Sequence, residues 1–143
     1  MTPEQLLKLS SKAGRILLES GAEIQRTEDT ICRLCQSFGV EEASAFVIPT
    51  GMFLSLSYQG STYSKILRIR SSSLNLEKIN LVNDLSRRCV CEPIKIEEAL
   101  DELDRIEATS GYCGLPAEPL PRSSHCFSAE PFRMPFSLFS SAA

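Results

Sequence analysis

Two closely spaced pairs of cysteines are the first residues in this sequence whose chemistry could define a site. Cys32 and Cys35 form a Cys-x-x-Cys pair, and Cys89 and Cys91 are separated by one residue. Four thiolates can hold a zinc ion, but structural zinc pairs usually lie on turns, and a redox pair needs its attacking thiol at a helix N-terminus. The helical spacing instead places Cys35 in mid-helix on an apolar stripe. We therefore expect free thiols packed as small hydrophobic groups, with the four cysteines as weak candidates for metal ligands, and no cofactor.

A group of charged residues, Glu23, Arg26 and Glu28, opens the second predicted helix. A carboxylate near the first turn is stabilised by the positive end of the helix dipole, and Glu23 and Arg26, three residues apart, can form an ion pair. Helix stability alone therefore accounts for these charges. The functional alternative is a polar cluster that contacts a membrane domain or an effector. Arg68, in a predicted strand, is a candidate partner for that cluster, and the alternative is that it is a solvated residue on the strand surface.

Enzymes and nucleic-acid binders are both disfavoured by the sequence. His125 is the only histidine and lies in the C-terminal segment, so a Ser-His-Asp or Cys-His site is nearly excluded. The glycines are isolated, and none belongs to a phosphate-binding loop. The net charge of −3 is opposite in sign to the basic surface that neutralises phosphates in nucleic-acid binders. We predict that the chain is not an enzyme and binds no nucleic acid.

The sequence contains no run of about 18 apolar residues, which is the length that a membrane-spanning helix needs. Residues 1–5 also lack the basic and apolar regions of a secretory signal. We therefore expect a cytoplasmic chain. Its cysteines should stay reduced, because cytoplasmic glutathione and thioredoxin oppose disulfides.

The periodicity of the apolar residues predicts the elements that position these groups. Two helices come first, the first of them capped by Thr2 and Gln5. Strand-like alternation follows over residues 43–48, 52–58 and 63–70, with turns between them. Helical spacing then resumes at Asn75 and is interrupted at Pro93. The order ααβββαα predicts an α+β fold, in which helices pack on a three-stranded antiparallel meander.

The C-terminal segment differs in kind from the rest of the chain. Residues 111–143 hold five of the eight prolines and four of the seven phenylalanines and show no helical or strand periodicity. Prolines at this density disfavour a helix. We therefore divide the chain into a domain at 1–110 and an irregular tail at 111–143.

Four ordered stretches of the sequence carry a resemblance to a known family. They are the Gly-Ala-Glu and Arg-x-Glu pattern within 20–31, the strand–turn–strand at 48–56, the pair Arg68-Ile69, and the helix at 75–87. Together they resemble the N-terminal domain of the threonine/serine exporter family, which includes split two-component relatives linked to dicarboxylate export. The resemblance covers about Leu6 to Glu107, and it adds Asn75 and Asn83 to the candidate polar cluster.

The resemblance implies a function that composition and spacing do not. It implies the cytoplasmic N-terminal domain of an exporter-like transmembrane transporter for amino acids or small carboxylates, at the cytoplasmic face of the plasma membrane. The implied partner is a transmembrane domain or subunit, and the chain itself would have no transport path. The alternative is a stand-alone soluble domain that binds a small molecule or forms a homo-oligomer.

The resemblance also implies an origin for the tail. In the family, several transmembrane helices follow this domain directly. Residues 111–143 do not have the sequence of a transmembrane helix. Shift the reading frame of the coding DNA from Tyr112 onward, so that each new codon takes the third base of one residue and the first two bases of the next. Synonymous codon choices then permit a nearly unbroken run of apolar residues. We therefore predict a truncated protein whose tail is a frame-shifted remnant of a transmembrane segment; a lesion, a sequencing error and a programmed shift all remain open.

Overall fold

Four helices and three strands follow one another in the predicted order ααβββαα in the computed structural model, which describes residues 2–109. The predicted tail lies outside these residues. The elements are α1 (Pro3–Glu19), α2 (Ile24–Ser37), β1 (Glu42–Ile48), β2 (Gly51–Tyr58), β3 (Ser61–Arg68), α3 (Leu76–Cys91) and α4 (Ile96–Ala108). The α+β fold and the antiparallel meander are confirmed.

The start of α1 is fixed by the capping box that the sequence predicts. The backbone N–H of Thr2 donates to Oε1 of Gln5 at 2.9 Å, and the N–H of Gln5 donates to Oγ1 of Thr2 at 3.3 Å. Pro3 occupies the first helical position, where its missing N–H costs no hydrogen bond. These contacts satisfy two donors that would otherwise lack partners at the helix end.

The sheet is a meander with the strand order β1-β2-β3, and two-residue turns join its strands. Gln59 and Gly60 both have positive φ, 53° and 73°, as a type I′ hairpin turn requires. β3 ends at Arg68, not at residue 70 as predicted. Arg68 pairs with Gly51, the first residue of β2, and the backbone N–H of Ile69 still donates to the carbonyl oxygen of Thr50 at 2.8 Å, but Thr50 already belongs to the turn.

The helices cover one face of the sheet. α1 lies at the centre, where it contacts every other helix as well as β2 and β3, while α2 packs against β1. The largest fully buried side chains come from both layers: Leu6, Leu9, Leu17, Ile31, Leu34, Met52, Leu54, Leu56, Leu85 and Leu103. Helical spacing predicts an apolar stripe on α3 that begins at Leu76, but the stripe is buried only from Ile79 onward. The exposed residues 70–74 lead into the first turn of the helix, and Leu76 is 64% exposed.

The first and last helices are joined by polar contacts along their length. The amide of Gln5 donates to Glu97 at 3.1 Å, and the guanidinium of Arg15 lies 2.6 Å from the carboxylate of Glu107. Lys12 forms ion pairs with both Glu107 and Asp104. The two ends of the described chain therefore close on each other across the helical layer. No helix within residues 2–109 is both long and apolar enough to span a membrane.

Candidate functional site

The charged cluster on α2 has one member with a defined structural role. Glu28 is half-buried, and its Oε1 accepts a hydrogen bond from the backbone N–H of Val47 at 2.8 Å. β1 is an edge strand that pairs only with β2, so Glu28 occupies a position at the open edge of the sheet. Glu23 and Arg26 are exposed, and the ion pair that their spacing allows is not formed in the described structure.

Asn83 lies in the interface between the second and third helices. It is 5% exposed, and its Oδ1 lies 2.9 Å from Oγ1 of Thr30. Oγ1 of Thr30 also lies 2.8 Å from the carbonyl oxygen of Arg26, so its single hydroxyl proton is shared between two acceptors. Nδ2 of Asn83 has no hydrogen-bond partner within residues 2–109. A buried amide donor without a partner is costly, so Asn83 is an unusual residue for this position.

Asn75 caps α3 and contributes to a polar cavity of about 260 Å³. Its Oδ1 accepts a hydrogen bond from the N–H of Lys78 at 3.1 Å, and its own N–H donates to the carbonyl oxygen of Ser20 at 3.0 Å. Nζ of Lys78 donates to the backbone oxygen of Glu107 at 2.8 Å. The remaining lining consists of Ile16, Glu19 and the serines at 71–73. The cavity therefore carries both a cationic and an anionic side chain.

Arg68 lies on the opposite face of the sheet from α2 and its charged cluster. It is exposed at the end of β3, on the sheet face that no helix in the described structure covers. The same face carries a row of three apolar residues in register, Phe46, Phe53 and Ile66, which are 61%, 47% and 70% exposed. The ring centroids of Phe46 and Phe53 are 6.2 Å apart. We call these three residues the apolar row.

The four cysteines of the two pairs are free thiols in different environments. Cys35 and Cys89 are buried, Cys32 is half-buried and Cys91 is exposed. Burial raises the pKa of Cys35 to about 12 and also raises the pKa of Cys32 and Cys89. No group of three or more potential metal ligands occurs among the described residues. Cys32, Cys35 and Cys89 therefore offer the chemistry of packed thiols with a raised pKa, whereas Cys91 is a surface thiol.

The six candidate polar residues thus do not form one site. Glu28 belongs to a sheet edge, Asn83 to a helix interface, Asn75 to the cavity and Arg68 to the open sheet face. The apolar row was not singled out from the sequence, although strand alternation already places Phe53 on the face of Ser55 and Ser57, away from Met52 and Leu54. The sequence contains no comparable signal for the cavity, because its lining comes from three segments that are far apart in the sequence.

Comparison with known proteins identifies the family of the chain. Residues 8–116 match the ThrE family, described as "Putative threonine/serine exporter". The match runs from α1 through α4 and ends beyond Glu107, where the resemblance in the sequence ended. No curated protein and no solved structure matches the chain. With most of its length matched, including all three strands and the last three helices in full, the chain belongs to the threonine/serine exporter family.

Proposed function

We propose that residues 2–109 are the cytoplasmic N-terminal domain of an exporter-like transporter, which acts on the transmembrane part rather than forming a transport path. The observation that carries this proposal is the family match, which extends over nearly the whole described fold. Membership of a transporter family also fits the expectation that the chain is not an enzyme. The exported solutes would be amino acids or small carboxylates.

The structure suggests which surfaces serve such a domain. The helical layer is held together by polar contacts, since α1 and α4 bind each other through Gln5 with Glu97 and Arg15 with Glu107. The opposite sheet face carries the apolar row and has no cover within the described residues. We propose that this uncovered sheet face meets the membrane assembly, although α3 also exposes Leu76 and Val90 on the helical side.

A domain exchange tests this proposal. Residues 1–110 would replace the equivalent domain of a functional threonine/serine exporter, and threonine efflux would be measured in cells that lack their own exporter. We expect the hybrid to export threonine, whereas a hybrid with an unrelated α+β domain of similar size should not. Hybrid protein present in the membrane at normal abundance but unable to export any tested amino acid or dicarboxylate would contradict the proposal.

The polar cavity favours a second candidate function, the binding of a small zwitterion. Lys78 could face a carboxylate and Glu19 an ammonium group, and neither residue belongs to an ion pair in the described structure. The exposed serines at 71–73 add hydroxyl groups at the rim. An α-amino acid presents both charges on neighbouring atoms, which matches this arrangement.

Calorimetric titration of the purified chain with threonine, serine and succinate would test the second candidate. We expect the amino acids to bind more tightly than succinate, and both Lys78→Gln and Glu19→Gln to weaken their binding at least tenfold. Lys95→Gln is the matched control, because Lys95 is exposed outside the cavity. Absence of heat for all three ligands, or equal effects of Lys78→Gln and Lys95→Gln, would rule it out.

A further inference from the structure

The open face of the sheet combines apolar and basic groups at one end. The apolar row crosses all three strands, and Arg68 follows Ile66 by two residues on β3, so it projects from the same face. Arg70 is exposed just beyond the strand. The acidic residue of this face, Glu42, pairs with Ser57 and therefore lies at the far end of the sheet. Within the open face, the charges nearest the apolar row are thus positive, although the Glu28 carboxylate lies at the adjoining edge of β1 and the whole chain carries −3.

Apart from Glu42, the rest of the face carries small uncharged polar side chains. The next row of paired residues on this face contains Ser44, Ser55 and Ser64, and the row beyond it contains Glu42, Ser57 and Thr62. A shallow depression of about 220 Å³ lies between the aromatic rings and the serines. Short hydroxyl groups around an exposed apolar row leave the aromatic and aliphatic side chains as the most prominent groups.

The size of the face argues against a stable protein interface. Three strands of seven or eight residues, spaced about 4.8 Å apart, span roughly 14 Å by 26 Å, or about 360 Å². A stable interface needs about 800 Å² from each partner. The edge of β1 does not extend the surface, because Glu28 already binds the N–H of Val47 there. A partner that needs little contact area and attracts positive charge fits this surface better than a second copy of the chain.

We infer that the apolar row, with Arg68 and Arg70, binds the surface of a bilayer that contains anionic lipids. Aromatic and aliphatic side chains enter the boundary between headgroups and acyl chains, and the neighbouring guanidinium groups bind lipid phosphates. Each basic residue near such a surface contributes about a fivefold gain in partitioning. This inference goes beyond the proposed transport role, because it concerns contact with lipid and requires no export activity.

Vesicle sedimentation of the purified 143-residue chain tests the inference. Partition coefficients would be measured for vesicles of phosphatidylcholine alone and of phosphatidylcholine mixed with phosphatidylglycerol. We expect at least tenfold stronger binding to the anionic vesicles, and a decrease as salt rises. Equal binding to both vesicle types, or no binding to either, would overturn the inference even if the domain exchange restored export.

Two double variants and one matched control connect the binding to this face. Arg68→Gln with Arg70→Gln should weaken binding to anionic vesicles by about 25-fold. Phe46→Thr with Ile66→Thr should weaken it about tenfold or more, and threonine preserves strand propensity so that the fold survives.

The control, Arg87→Gln with Val90→Thr, removes one exposed basic and one exposed apolar residue from α3 and should change binding less than twofold. Circular dichroism would verify that each variant is folded. If the variants of the sheet face behave like the control, or if the chain is a dimer that Phe46→Thr with Ile66→Thr dissociates, the face has another occupant and the inference is wrong.

Discussion

Oε1 of Glu28 lies 2.8 Å from the backbone nitrogen of Val47, so a helix side chain takes the place that the carbonyl of a further strand would occupy. Edge strands expose such N–H groups and can recruit other chains through them. Glu28 therefore both joins α2 to the sheet and protects its edge.

Replacement of Glu28 by alanine should leave the Val47 N–H without its partner. Hydrogen bonds to charged groups contribute about 1.5–3 kcal/mol, so we expect a decrease of that order in the free energy of unfolding. Glu28→Gln should lose less, since it retains an acceptor. Asp29→Ala is the control, because Asp29 is the exposed neighbour. Urea unfolding measures the effect, and equal losses for Glu28→Ala and Asp29→Ala would contradict this role.

Gly51→Ala should destabilise the sheet. A Cβ at Gly51 would overlap the backbone carbonyl oxygen of Leu67, which cannot move without displacing β3. Overpacking of this kind costs about 1–3 kcal/mol. Ser55→Ala, in the same strand but on the open face, should change stability by less than about 0.5 kcal/mol. Thermal unfolding of both variants would test this, and an unchanged midpoint for Gly51→Ala would show that the strands tolerate the methyl group.

Thr30 and Asn83 should be energetically coupled. Thr30→Val leaves the Asn83 amide with neither partner, which costs about 1–3 kcal/mol. Asn83→Leu removes the unpaired donor at similar volume and should cost less than about 1 kcal/mol. Thr30→Val should therefore be less destabilising in the Asn83→Leu background. A double-mutant cycle by urea unfolding measures this coupling, and strictly additive effects would refute it.

Alkylation rates should distinguish the cysteines. A thiol with a pKa of about 12 is only about one-thousandth thiolate at pH 9, and the thiolate is the reactive form. Cys91 is exposed, whereas Cys35 is buried. We expect iodoacetamide to modify Cys91 at least a hundredfold faster than Cys35, as measured by peptide mass spectrometry. In the expected case the two rates converge only after the protein is unfolded. Similar rates in the native protein would instead show that Cys35 is accessible.

The raised pKa of Cys35 also predicts how stability depends on pH. An unfolded thiol loses its proton near pH 9, while burial keeps Cys35 protonated up to about pH 12. The unfolded state therefore binds fewer protons in this window, and the free energy of unfolding falls as pH rises through it. Below pH 9 the contribution is complete. Cys35→Ala should show a shallower decline between about pH 8 and about pH 10.5 than Cys91→Ala in urea unfolding; equal slopes would exclude Cys35 as the cause.

The sequence predicts the elements of this fold better than the contacts between them. Thr2 and Gln5 form a local cap whose partners are three residues apart, and local spacing is sufficient to recognise it. Alternation likewise places Met52 and Leu54 in the core. Periodicity reports which face of an element is buried, but it does not identify the element that covers that face.

For this reason the site could be predicted only in part. Glu28 was selected as a charged residue of α2, yet its partner Val47 belongs to a strand 19 residues away. Asn83 was selected through the resemblance, while Thr30, which holds it, lies on a different helix. Lys78 lies within the helix that carries the family resemblance, but its contact with Glu107 forms only in the folded chain. Each miss involves a contact between segments that local sequence patterns cannot connect.

The closure of α4 on α1 has a consequence for how a ribosome produces this domain. Gln5 and Glu97, like Arg15 and Glu107, are 92 residues apart. At a translation rate of about 5–20 residues per second, α1 waits about 5–20 s for α4 to be synthesised. During that interval the stripe of α1 that α4 will cover is open to nascent-chain chaperones. Co-translational folding can complete the meander early, but the helical layer is completed only when the last helix leaves the ribosome.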